Sequence, residues 1–254
     1  MLVDVLFDPF EGSWADVRAG ALAAEQAGFD GVWLYDHLAG SVHSASRVLE
    51  CWTTLTAIAA VVPRIAIGPL VLNVANRDAG TLAVMAATLQ EMSGGRLLLG
   101  LGAGGGRDTP YAAEQLALGR RVPGDRARRR WVEDAVGRVR EVWTGASGGA
   151  AGFLRPQPPP PIIIGGFGPK MAELAGRAGD GINAPGGPSV GKLIEIAREA
   201  HARAGRDPDT FVVTASAGPR GHQRLADLGV SRVIIFVKAP YVDGVAQVHA
   251  ALAT

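Results

Sequence analysis

The chain has 254 residues, 48% of them hydrophobic and 19% charged, a balance that suits one large α/β domain or two small ones and excludes a disordered chain. Lys and Arg number 25 against 24 Asp and Glu, for a net charge of +1, so no overall field points to nucleic acid or an anionic membrane, and a small molecule is the expected partner. The single Cys51 excludes an internal disulfide and a cysteine-based zinc site; with no basic stretch in MLVDVLFDPF and no apolar run near the ~18 residues of a membrane span, a cytoplasmic location is expected.

Short β-rich apolar runs alternate with longer Ala/Leu/Glu/Arg stretches from end to end, the pattern of βα units around a parallel sheet. LVDVLF (2–7) precedes a helix that opens near Ser13, a suitable N-cap, and closes at Gly28. GVWLY (31–35) leads to the helix CWTTLTAIAAVV, IAIGPLVL (65–72) to TLAVMAATLQEM, and RLLLGLG (96–102) through a long polar stretch to RRRWVEDAVGRVREVWTG. In that last segment Trp131, Val132, Ala135, Val136, Val139, Val142 and Trp143 repeat at helical spacing. PIIIG (161–165) and PKMAELAGRAG form a fifth unit, and DGINA with VGKLIEIAREAHARAG a sixth. TFVVTASAG (210–218) with HQRLADLG and SRVIIFV (231–237) with YVDGVAQVHAALA complete the series.

Eight strand-then-helix units match the (β/α)8 TIM barrel better than an open doubly wound sheet, with 1–254 as a single domain. The Gly- and Pro-rich patch 145–162 is a shortened loop between the fourth helix and the fifth strand, since neither flank alone closes a barrel.

In a barrel the chemistry lies where the loops after the strands converge. Those positions offer no His-x-His, no carboxylate cluster at metal-ligand spacing and no nucleophile elbow, so metal-dependent and triad hydrolases are disfavoured and no metal is expected. They do offer glycine twice. GLGAGGG (100–106) and GGFG (165–168) each lie between a strand and a helix, and the second opens onto a helix at Pro169. Either loop suits a phosphate cradle or a turn in which glycine relieves crowding. GLGAGGG lacks the acid ~20 residues on that a dinucleotide fingerprint requires, so a Rossmann domain is rejected.

AAEQAGFDGVWLYDHLAG, EMSGGRLLLGLGAGGG and PPPPIIIGGFGPKMAELAGRAGDGIN, in that order, resemble the luciferase-like monooxygenase superfamily, closest to its deazaflavin branch, which uses coenzyme F420. The resemblance implies a (β/α)8 barrel and a hydride transfer to or from a small organic substrate, with FMN-dependent two-component monooxygenation or a catalytically degenerate barrel as alternatives. It implies that His37 faces the reactive ring and handles a proton, with Asp36 orienting it. Asn73 and Val74 match the place of a non-prolyl cis peptide behind the ring, and Gly102, Ala103 and Gly104 would line the ring and ribityl chain. Gly165, Gly166, Phe167, Gly168 and Pro169 would hold the phosphate, and Asn183 would join the same pocket. Relatives commonly pair, which implies a homodimer.

The sequence departs from that family's pattern after the fourth strand. An acid and an aromatic usually follow closely; here Arg107 and Asp108 come first, with Tyr111 and Glu114 later, which leaves a second catalytic acid unassigned. The six arginines of RRVPGDRARRRW (120–131) suit a solvated helix face, or attraction of the cofactor's anionic tail. The five tryptophans are expected mostly at packing positions, and Lys238 has no partner in view that would make it a Schiff-base lysine.

Overall fold

In the computed structural model, which describes residues 1–253, nine parallel strands form a nearly closed barrel. They are β1 (Leu2–Phe7), β2 (Gly31–Leu34), β3 (Ala66–Pro69), β4 (Leu72–Asn73), β5 (Leu99–Gly102), β6 (Ile162–Gly165), β7 (Gly181–Ala184), β8 (Val212–Ser216) and β9 (Arg232–Val237). The sheet order is β3-β2-β1-β9-β8-β7-β6-β5-β4, and a bridge between Ile67 and Leu97 brings the two ends together. Thus β3 and β4 are the two halves of one expected strand, parted at a cis Leu70–Val71 bond. The cis bond was expected near Asn73 and Val74. It stands a few residues earlier, where β3 stops pairing with β2 and β4 starts pairing with β5.

The helices are α1 (Trp14–Gln26), α2 (Cys51–Val61), α3 (Ala79–Met92), α4 (Ala112–Ala117), α5 (Asp125–Thr144), α6 (Pro169–Ala178), α7 (Val190–Arg203), α8 (His222–Asp227) and α9 (Tyr241–Leu252). Their starts follow local chemistry. Ser13 and Asp16 form a reciprocal capping box on α1, the Glu50 carboxylate accepts from the N–H groups of Trp52 and Thr53 at the head of α2, and Asp78 caps α3 through Thr81 N–H. Gly28 closes the turn after α1 at φ 82°, as its position suggested.

The helices' apolar faces pack on the outer side of the strands, and each fully buried Leu, Ile or Val contributes about 1.5–3 kcal/mol of burial. Of the five tryptophans, Trp33, Trp52 and Trp143 are buried, whereas Trp14 and Trp131 are 37% and 39% exposed. The barrel interior is layered. At its base Arg232 makes a two-pronged ion pair with Asp4, both contacts at 2.7 Å, and Trp33 Nε1 donates to the same carboxylate at 2.8 Å. Above it Leu6, Leu70, Ile163 and Ile234 form an apolar layer that supports the mouth.

Segment 145–162 runs without helix or strand until β6 begins, as its composition implies. Among the described residues no helix is long and apolar enough to cross a membrane.

Candidate active site

At the C-terminal ends of β2 to β6 the loops enclose a cavity of about 730 Å³. The sequence-selected residues Asp36, His37, Asn73, Gly102, Ala103, Gly104 and the run from Gly165 to Pro169 all line it. Two others do not. Val74 packs against the main core with its N–H on Gly102 O, and Asn183 lies inside the barrel, donating to Thr214 Oγ1 at 2.8 Å.

His37 stands in a ring of aromatic neighbours. Tyr111 stacks on it with centroids 5.1 Å apart, and Phe10, His43 and Tyr35 lie at 5.5, 5.1 and 6.3 Å. Its Nδ1 is 3.2 Å from Glu114 Oε1, while Glu114 Oε2 accepts from the N–H groups of Leu38 and Ala39 at 2.9 and 3.3 Å. Glu114 is buried, its side chain 3% exposed. Burial pushes its carboxyl up, but His37 and the two backbone donors outweigh that and hold it below the usual glutamate value. An ionised carboxylate only accepts, so the neutral imidazole carries its proton on Nδ1 and keeps Nε2 as the basic nitrogen.

Asp36 was expected to orient His37, and the geometry assigns it other work. Its carboxylate, fully buried, accepts from Asn73 N–H at 2.8 Å, from Asn76 Nδ2 at 3.1 Å and from both terminal nitrogens of Arg77 at 2.9 and 2.8 Å. It fastens the end of β2 to the loop after β4. Arg77 is held further by Glu50, the cap of α2, so a chain of charge links the two loops. Orientation of the imidazole falls to Glu114 on α4, a short helix inside a stretch read from sequence as merely polar. The sequence did name Tyr111 and Glu114 as the late acid and aromatic. What could have placed them was the helical run AAEQLALG ending at Gly119, whose φ is 69°.

The opposite wall is glycine, and the glycines divide by what they make room for. A Cβ on Gly102 or Gly165 would come within 2.4 or 2.9 Å of the Val71 side chain, one on Gly104 within 2.4 Å of Asn73, and one on Gly166 within 2.5 Å of Met171 Cβ. These four relieve crowding within the protein. Gly168 differs, since a Cβ there would meet nothing within 4 Å. It caps α6 with no side-chain hydrogen bond, Pro169 occupies the first turn, and no acid lies in that turn. Lys170 follows, a cation where the helix dipole favours an anion.

Of the arginine run, Arg128 and Arg129 line the cavity. Arg128 donates to Ala103 O at 3.1 Å, to Gly104 O and to Asp125 at 2.7 Å, while its Nε is buried without a partner. Arg120 bonds Asn76 Oδ1 at 3.0 Å, and Arg121, Arg126 and Arg130 are exposed. The run is therefore split between the site and a solvated face.

The site sits at the C-terminal mouth of a parallel βα barrel, where loops after several strands bring the glycines and the His37–Glu114 pair to one cavity. The family model for luciferase-like monooxygenases matches residues 6–219, and the chain belongs to that family. Over 204 residues it is 32% identical to the F420-dependent glucose-6-phosphate dehydrogenase of Nakamurella multipartita, covering 74% of this chain and 58% of that one. Over 205 residues it is 32% identical to the F420-dependent hydroxymycolic acid dehydrogenase of Mycobacterium tuberculosis, covering 76% of this chain and 55% of the relative. The chain thus spans less than two thirds of the length of these two relatives. Among solved structures, an F420-dependent secondary alcohol dehydrogenase in complex with an F420-acetone adduct superposes with a TM-score of 0.83 at 19% identity, covering 99% of this chain and 98% of that one.

Proposed function

We propose that the chain is an F420-dependent oxidoreductase, one barrel domain over residues 1–254, that moves a hydride to or from a small organic substrate in the cytoplasm, as a homodimer. The carrying observation is one cavity that brings Arg128, Arg129 and Lys170 and the open Gly168 at the head of α6 together with His37 and Glu114. The residues fit the cofactor. A volume of about 730 Å³ is that of a cofactor-sized pocket, Arg128, Arg129 and Lys170 supply cations to its lining, and Leu70, Val71 and Ala103 supply apolar surface. Gly168, Pro169 and Lys170 at the head of α6 would hold the phosphate, with Arg128 and Arg129 toward the anionic tail. Gly102, Ala103, Gly104, Val71 and Asn73 would border the ring system. Bound there, F420 supplies the hydride donor or acceptor.

The protein's own contribution is positional and protonic. Glu114 fixes the His37 ring and its tautomer, so Nε2 is the atom that takes or returns the proton accompanying the hydride. Asp36 is a positioning residue for the loop that carries Asn73. Glu114 fills the place of the acid that the sequence left unassigned, which weighs against a degenerate barrel. Titration with F420 and with FMN, followed by fluorescence, tests the reading. Micromolar or tighter F420 binding with much weaker FMN binding is expected; preference for FMN would favour the two-component monooxygenase, and binding of neither would favour the degenerate barrel.

A further inference from the structure

The mouth of the barrel carries a second cavity of about 340 Å³. It lies over β8, β9 and β1, whereas the first lies over β2 to β6, and Tyr35 at the end of β2 lines both. Its floor is Leu6 and Ile234, two members of the apolar layer that fills the barrel interior. Phe236 forms one wall and Pro219, at the turn after β8, another. Phe236 is the conspicuous residue. Its neighbours Ile235 and Val237 are each 1% exposed, yet Phe236 is 39% exposed, with its ring 6.3 Å from that of Tyr35.

The two cavities differ in chemistry. The first holds Arg128, Arg129 and Lys170, whereas among the described residues no charged or histidine side chain lines the second. Its polar side chains are Tyr35 and Ser216. Burial, with Asp8 and Tyr111 nearby, raises the Tyr35 hydroxyl above the ordinary phenol value of 10.0, so it remains a donor at neutral pH. A charged ligand group placed there would lose its water and gain no counterion.

We propose that this second cavity is the substrate subsite and that it takes an uncharged alcohol or ketone with its hydrocarbon body on Leu6, Ile234 and Phe236 and its oxygen at Tyr35, which lines both cavities, on the side toward His37. Sugar phosphates and carboxylic acids are disfavoured there by the missing cation. The inference rests on the oxidoreductase reading for its choice of an alcohol or ketone, but the binding it asserts is measurable without turnover.

Gly218 supplies a clean probe. It lines the cavity, its φ is −79°, and a Cβ there would meet nothing within 4 Å, so Gly218→Leu adds bulk at the cavity wall and should leave the fold intact. Saturation-transfer NMR is run with cyclohexanone and with glucose 6-phosphate, on the protein alone and with F420, beside a separate F420 titration. Cyclohexanone should bind, glucose 6-phosphate should not displace it, and Gly218→Leu should weaken cyclohexanone at least tenfold with Tm and F420 affinity unchanged. Phe236→Ala, a second variant, should shift the preference toward bulkier ketones. Absence of cyclohexanone binding, displacement by the sugar phosphate, or equal affinity in folded Gly218→Leu would overturn the proposal. Because F420 affinity is measured apart, loss of the cofactor reading and loss of this one give different results.

Discussion

Replacing Glu114 by Gln keeps the size of the side chain and removes the feature that sets the His37 tautomer. In the wild type, one carboxylate oxygen faces Nδ1 at 3.2 Å while the other accepts from Leu38 and Ala39 N–H. A glutamine must keep its carbonyl on those two backbone donors, so its NH2 group turns toward Nδ1. Two donors cannot share that contact, and the imidazole proton moves to Nε2. The backbone bonds survive at neutral strength, which costs about 1–2 kcal/mol, or a Tm lower by roughly 2–8 °C in a protein of this size. Glu114→Ala also abandons both backbone donors and should cost about 2–4 kcal/mol. Nitrogen-15 spectra of histidine-labelled protein read the tautomer directly, with His37→Gln identifying the signal. Wild type should show the proton on Nδ1, and Glu114→Gln should show it on Nε2. Turnover should then fall by about 10²- to 10⁴-fold, the usual range for a lost general base, with F420 affinity little changed. A wild-type ring protonated on Nε2, or a tautomer unmoved by the substitution, would refute the assignment of Glu114 as the orienting group.

Three other perturbations follow from the same geometry. Gly166→Ala should destabilise by about 1–3 kcal/mol, because its Cβ would come within 2.5 Å of Met171 Cβ, which thermal unfolding will show. Arg232→Met strands a buried carboxylate and should cost about 3–5 kcal/mol by urea titration, whereas Asp4→Leu combined with Arg232→Met should recover most of the loss. Glu114 is held below the ordinary glutamate value of 4.5, so its ionised form contributes stability that is complete above that value and is lost as pH falls through the lower folded-state value. As pH falls below that ordinary value, Glu114→Gln should therefore flatten the acid limb of the stability profile relative to wild type.

The barrel was legible because each of its strands is a short apolar run of the kind a doubly covered parallel strand requires, and each helix carries its own punctuation, such as Ser13 and Gly28 around α1. The third strand was read as continuous. Nothing in IAIGPLVL marks where β3 leaves β2 and β4 takes up β5, since that break is set by neighbours distant in sequence. His37 and the glycine loops could be placed at the mouth because strand ends are fixed by pattern. The partners of His37 could not. Asp36 is adjacent in the chain but is claimed by Asn73, Asn76 and Arg77, while Glu114 lies 77 residues away on a helix too short to show periodicity. The glycines illustrate the same limit. Four of the mouth glycines are required by Val71, Asn73 and Met171, and only spatial neighbours separate them from Gly168.

That separation makes Gly168 the residue through which the cofactor reading is tested most directly. A Cβ at this position would meet no protein atom within 4 Å, and the φ of −135° is one any residue adopts, so Gly168→Leu should fold as wild type does. Parallel fluorescence titrations of the two proteins with F420 should show at least a tenfold loss of affinity in Gly168→Leu at unchanged Tm. Equal F420 affinity in the two folded proteins would contradict the placement of the cofactor phosphate at the head of α6.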